Sequence, residues 1–224
     1  LTAWLTRIIP DQRSADARRD TAGTDGAIRL HRRLMSLFPD DAGPEARRRF
    51  GVLFRTEDTP AGLHILLQST EKPDLTRLPD GYGDVRSRPL DPLLDALRAG
   101  LTVRYRCVAS AVRKPGATTR AQYNLPAVVP LSGAAADEWW LRQADATGLK
   151  PLQLHSQPLD TVHGRRGNSG PAAQQRVRHA RTRFDGTAAI TDPDQLREKI
   201  IEGIGRGKPY GCGLLSIAPA RDAA

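Results

Sequence analysis

One order of elements recurs in this chain, and it limits the possible folds more than any other feature. A strand, a helix, a hairpin, a helix and a closing strand can be read between Ala3 and Lys114, and again between Leu125 and Pro219. In the first round, "AWLTRIIP" alternates like a strand and stops at Pro10. A polar, Arg/Asp-rich loop leads to Gly23. "TDGAIRLHRRLMSLFPD" then reads as a helix, with Thr24 or Asp25 at its cap and Pro39 beyond its end. "RRRFGVLFRTED" and "LHILLQST" form a hairpin about "TPAG", "DPLLDALRAG" is a short helix, and "LTVRYRCVASAVRK" closes the round.

"PGATTRAQYN" reads as a linker. The second round has "LPAVVPL" as a strand and "SGAAADEWWLRQADATG" as a helix capped by Ser132 and stopped at Gly148. "LKPLQLHSQPL" is the next strand. Asp185-Gly186 within "QQRVRHARTRFDGTAAIT" signals a hairpin turn. "DPDQLREKIIEGIG" is a helix capped by Asp192 with Pro193 at its first position, and "CGLLSIAP" closes. The expectation is an α+β chain of two tandem ferredoxin-like (RRM-like, β-α-β-β-α-β) domains, 1–114 and 125–224, joined by the linker 115–124.

The 224 residues suit two such half-size units. A formal net charge of +9 favours a polyanionic partner such as nucleic acid. No apolar run approaches the roughly 20 residues of a membrane span, and no secretory leader pattern follows the start. Two cysteines, Cys107 and Cys212, are too few for a disulfide framework or a metal knuckle. The composition therefore predicts a cytoplasmic protein without membrane, metal or cofactor.

Two features concentrate the charge. Between His163 and Phe184 lie six arginines, Arg165, Arg166, Arg176, Arg178, Arg181 and Arg183, with no acid among them. A solvated face usually interleaves both signs, so this run predicts phosphate contact. On an unbroken strand Arg176 and Arg178 share one face, and Arg181 and Arg183 the other. A bulge could realign them. Near the end, "GIGRGKPYGCGLLSIAP" places five glycines within eleven residues, threaded by Arg206 and Lys208. It reads either as a helix cap with a tight turn or as a loop that approaches an anion. It lacks the G-x-x-x-x-G-K-[ST] order of a nucleotide-binding P-loop. Aromatic residues make up only 5% of the chain and no RNP1-type string occurs, so recognition should rest on phosphates and shape.

In the first helix, Ala27, Leu30, Leu34, Met35, Leu37 and Phe38 cover one face, and His31 falls within it. Such a histidine is either packed in the core or aimed into a cleft between the two units.

These segments resemble the CasE family, the CRISPR repeat-processing endoribonucleases of type I-E Cascade. The similarity is carried by "LHRRLMSLFPD", "VLFRTEDTPAGLHILLQS", "VRHARTRFDGTAAITDP" and "GIGRGKPYGCGLLSIAP", in the family's order and across nearly the whole chain. The resemblance implies metal-independent cleavage at the base of the repeat hairpin. The 2′-hydroxyl attacks the adjacent phosphate, leaving a 2′,3′-cyclic phosphate and a 5′-hydroxyl. It also implies that the hairpin is retained and that other Cascade subunits are partners. The family's helix histidine matches His31, which becomes the expected general acid or base, with Arg32, Arg206 and Lys208 as phosphate contacts. The chain departs from some relatives at Ile28, where they carry a tyrosine. A non-catalytic RNA-hairpin binding module and a basic structural subunit of a ribonucleoprotein are the alternative readings.

Overall fold

The structure is a computed structural model. It describes residues 2–220 except 24, 41–42, 44 and 167–174, and only the backbone at 163–166 and 175–178. The architecture is α+β, with two four-stranded antiparallel sheets.

The first sheet has the order β2-β3-β1-β4, built from β1 (Trp4–Pro10), β2 (Leu53–Thr59), β3 (Gly62–Ser69) and β4 (Gly83–Pro89). Helices α1 (Ala15–Thr21), α2 (Gly26–Met35) and α3 (Ala46–Arg49) lie between β1 and β2. Ile8, Leu30, Leu34, Phe38, Phe50, Phe54, Ile65 and Leu67 form the core of this layer. The polar stretch expected as a loop contains α1, because Ser14 accepts the Ala17 amide and caps it.

β4 corrects the sequence reading. The segment "GDVRSRP" has no apolar run, yet it pairs with β1 from Trp4↔Pro89 to Pro10↔Gly83. It is an edge strand exposed on alternate residues, so polar side chains satisfy it. The strand expected to close the first unit, now β5 (Thr102–Ala109), lies in the second sheet instead. That sheet has the order β10-β5-β9-β8, with β8 (Leu149–Arg166), β9 (Gln175–Ile190) and β10 (Leu215–Pro219). The expected division at 115–124 thus falls between β5 and β8, two strands of the same sheet. The short α4 (Asp91–Asp95) precedes β5. Residues 115–124 themselves carry α5 (Ala117–Tyr123). "LPAVVPL" supplies only β7 (Val129–Pro130), paired with β6 (Val112–Arg113).

Helices α6 (Ala134–Asp145) and α7 (Pro193–Glu202) cover the second sheet. Trp140 lies between Tyr105 and Phe184, with ring centroids 5.4 and 4.9 Å away. Asp192 caps α7 as expected, accepting from the Asp194 and Gln195 amides. Ser132 does not cap α6; Gly133 occupies that place.

Asp185-Gly186 is not a turn. Both residues lie inside β9. A Cβ on Gly186 would meet the Gln153 carbonyl oxygen at 1.9 Å and the Tyr105 hydroxyl at 2.7 Å. Glycine is required here for close approach, where a register shift falls between Pro151 and Gln153.

Arg55 joins the two layers. It is 3% exposed on β2. Its guanidinium donates to the Leu214 carbonyl at 3.0 Å, the Ser216 hydroxyl at 3.0 Å and the Arg106 carbonyl at 3.3 Å. It also pairs with Glu57 at 2.7 Å. Glu57 reaches Arg106 at 3.3 Å, and Arg106 in turn binds Asp185. Gln68 adds a second tie, donating to the Ile200 carbonyl at 2.6 Å.

Candidate active site

The two layers leave a cleft of about 530 Å³ between them. Helices α1 and α2 contribute Thr21, Ala27 and Leu30, β2 contributes Phe54 and Thr56, and β8 contributes Asp160 to Val162. Arg181, Tyr210 and Gly211 close it from the second layer.

His31 is not among the residues that line this cleft, but the preceding Leu30 and the neighbouring Phe54 are. α2 is held against α1 by the ion pair of Arg33 with Asp20 at 2.6 Å, and Tyr82 donates to the same carboxylate at 3.3 Å. Gly26 lets the helix start close to α1, since a Cβ there would meet the Thr21 carbonyl oxygen at 3.0 Å. Leu30 and Leu34 are buried, and this orientation brings the half-buried His31 ring to 6.2 Å from that of Phe54. Its Nδ1 is buried and has no hydrogen-bond partner among the described residues. Burial, then the charges of Arg47 and Arg32, push its pKa down from 6.5 to about 4. The imidazole is therefore neutral at pH 7.

Cations line this rim. Arg32 is exposed on α2. Arg47 comes from α3, in a segment the sequence reading assigned to a strand. Lys208 lies in a 3-10 turn (Lys208–Tyr210) that packs against α2 and β2. Burial and then Arg47 lower the Lys208 pKa. Its ammonium donates to the Glu202 carbonyl at 2.5 Å, at the end of α7. The glycine loop is thus a helix terminus and a wall of the site together. Gly207 and Gly211 have φ of +78° and +79° on either side of the turn. A Cβ on Gly211 would come within 3.4 Å of Phe54. Arg206 is exposed, and its backbone bridges to Ser110.

The arginine-rich strands divide. His163↔Arg178 and Arg165↔Arg176 are in register across β8 and β9. The side chains of Arg165, Arg166, Arg176 and Arg178 lie outside the described residues. Arg181 reaches the cleft, with its Nε on the Asp160 carbonyl at 3.0 Å. Arg183 is held by Asp185 at 2.7 Å. The register shift lies in β8, between Leu159 and Val162, so no bulge in the arginine strand realigns the two pairs. Arg47, Phe54, Tyr210 and His179 were not among the expected site residues. His179 stacks on Tyr210 at 4.5 Å, a contact no spacing rule reveals.

The model of the family described as CRISPR associated protein matches residues 3–219. CRISPR-associated endoribonuclease Cse3 of Thermus thermophilus is 32% identical, with 96% of this chain and all of the relative covered. CRISPR system Cascade subunit CasE of Escherichia coli is 26% identical over 85% of this chain and 90% of the relative. The structure of Thermus thermophilus Cse3 bound to an RNA representing a pre-cleavage complex superposes with a TM-score of 0.76 at 25% identity, covering 98% of this chain and all of that one. The chain belongs to the CRISPR-associated protein family and, within it, to the CasE repeat-processing endoribonucleases.

Proposed function

We propose that this protein cuts CRISPR precursor RNA at the base of its repeat hairpin, with His31 as the general base. The observation that carries this role is a half-buried, neutral imidazole on α2, beside Phe54 of the cleft wall and under the charges of Arg47 and Arg32. His31 takes the proton of the 2′-hydroxyl. The 2′-oxygen forms a bond to phosphorus, the P–O5′ bond breaks, and the departing 5′-oxygen is protonated from solvent. The products are a 2′,3′-cyclic phosphate and a 5′-hydroxyl, and no metal takes part. Arg32, Arg47 and Lys208 offset the charge that develops on the phosphorane.

The hairpin stem is held by Arg206 together with Arg165, Arg166, Arg176 and Arg178, while Arg181 faces the cleft. The Cse3 structure with a pre-cleavage RNA supports this substrate class. The relative described as a Cascade subunit supports other Cascade subunits as partners, and on this reading the cut hairpin stays bound within that assembly in the cytoplasm. The strand orders β2-β3-β1-β4 and β10-β5-β9-β8 support two tandem ferredoxin-like units, divided within residues 90–101. The test is to incubate labelled repeat RNA with the protein in chelator and analyse the ends. A 3′-hydroxyl product, or no cleavage, would refute the chemistry.

A further inference from the structure

An in-line attack by a 2′-hydroxyl requires the attacking oxygen, the phosphorus and the leaving oxygen to lie nearly on one line. A regular A-form stack does not offer this. The RNA must therefore open at the cut, and a base leaves its neighbours. The exposed base then needs a site that replaces its lost stacking.

The cleft has the walls for that. Phe54, Leu30 and Tyr210 provide apolar and aromatic surface, Thr21 and Thr56 provide hydroxyls, and Arg181 provides a cation. Its volume of about 530 Å³ falls within the range of small-molecule sites. It lies next to His31 through Phe54, whose ring is 6.2 Å from the imidazole. Tyr210 is not a loose side chain at its edge. His179 stacks on it at 4.5 Å with the planes inclined by 28°. A Cβ on Gly207 would sit 3.4 Å from the His179 Nδ1, so the glycine loop packs down onto the same histidine. His179 and Arg181 fall on the same face of β9, the face that carries Asp185 toward Arg106. The arginine strand thus fixes both the tyrosine and the cation of the cleft.

We infer that this cleft is a subsite for one unstacked nucleotide at the cut. Its base packs on Tyr210, its phosphate is near Arg181, and His179 is a positioning residue that holds the tyrosine. The inference rests on the cleavage reading above and adds to it where the displaced base goes.

The experiment is a cycle between protein and RNA. Single-turnover cleavage is measured on repeat RNA carrying an abasic residue at either nucleotide flanking the cut, with wild-type protein and with Tyr210→Leu. Base stacking on an aromatic ring is worth roughly tenfold or more. One abasic position should slow the wild type by that factor, Tyr210→Leu should slow intact RNA similarly, and the two together should lose little more. Tyr210→Phe should restore most of the rate lost by the leucine variant, and His179→Phe most of that lost by His179→Ala. Should Tyr210→Leu fail to fold, the same cycle is run with His179→Ala. Multiplicative losses at both positions, or a wild-type rate from Tyr210→Leu, would overturn the subsite. Full cleavage by His31→Ala would strike the proposed chemistry instead and leave the cycle readable.

Discussion

The ring of Phe54 mediates between His31 and Gly211. It stands 6.2 Å from the imidazole, and a Cβ on Gly211 would touch it at 3.4 Å. Helix α2 and the glycine loop, with His31 and Gly211 180 positions apart in sequence, thus share one aromatic wall. Removing the imidazole leaves that wall and the cations in place. His31→Ala should lower single-turnover cleavage by about 10²–10⁴. Hairpin affinity should stay within about threefold if, as proposed, binding rests on the arginines. A binding assay beside the cleavage assay checks both.

The depressed pKa of His31 fixes a pH profile. The neutral base dominates above about 4, so kcat/KM should stay level from pH 8 down to about 5 and fall only toward 4. If His31 served as the acid, the rate would instead decline as pH rises above 4. Stability follows the same group. The unfolded imidazole titrates near 6.5 and the folded one near 4, so the unfolded state binds the extra proton between them. The melting temperature should therefore fall as pH drops from 6.5 to 4, and less steeply in His31→Ala.

Arg181 and Arg183 are two residues apart and differ in role. Arg183 is occupied by Asp185 at 2.7 Å, whereas Arg181, among the described residues, donates through Nε to the Asp160 carbonyl and faces the cleft. Arg181→Ala should reduce the slope of log affinity against log salt by about 0.7–0.9. Arg183→Ala should change the slope by less than half of that. Titrations of hairpin RNA across salt concentrations measure the difference.

Gly186 should tolerate no side chain. A Cβ would collide with the Gln153 carbonyl at 1.9 Å, which is backbone and cannot swing aside. Gly186→Ala should cost about 1–3 kcal/mol or more by overpacking. A denaturant melt reads the loss, and a stability equal to wild type would refute the close approach.

Arg55→Met keeps the volume and removes the donors. The Leu214 carbonyl and Ser216 hydroxyl lose a partner, at a cost of roughly 1–3 kcal/mol. Cleavage should fall along with stability, because the same arginine sets β10 and the preceding loop against β2. Thermal melts and single-turnover rates on one preparation test the pair of effects.

Much of this was legible in the sequence because it depends on apolar alternation or on caps. β1, the β2–β3 hairpin, α2 and the Asp192 cap are of that kind. β4 was not, because an edge strand such as "GDVRSRP" needs backbone partners more than apolar side chains. Missing it sent β5 to the wrong sheet. Asp185-Gly186 has a turn's composition, yet here the glycine makes room for a neighbouring carbonyl and the aspartate for two arginines. His31 could be located on the helix, but its neighbours could not. Arg47 and Phe54 follow α2 in the chain and Tyr210 lies far from both, and only tertiary packing brings these segments to one place.

The way Arg55 grips the second layer bears on how this chain can change over time. Two of its acceptors are main-chain oxygens, those of Arg106 and Leu214. A main-chain oxygen is present whatever residue occupies the position. Mutational drift at 106 and 214 therefore leaves those two bonds available, while drift at 55 removes the whole set at once. Gln68, whose acceptor is the main-chain oxygen of Ile200, follows the same rule, so the joint between the layers is inherited through two side chains while the residues they grip are free to change.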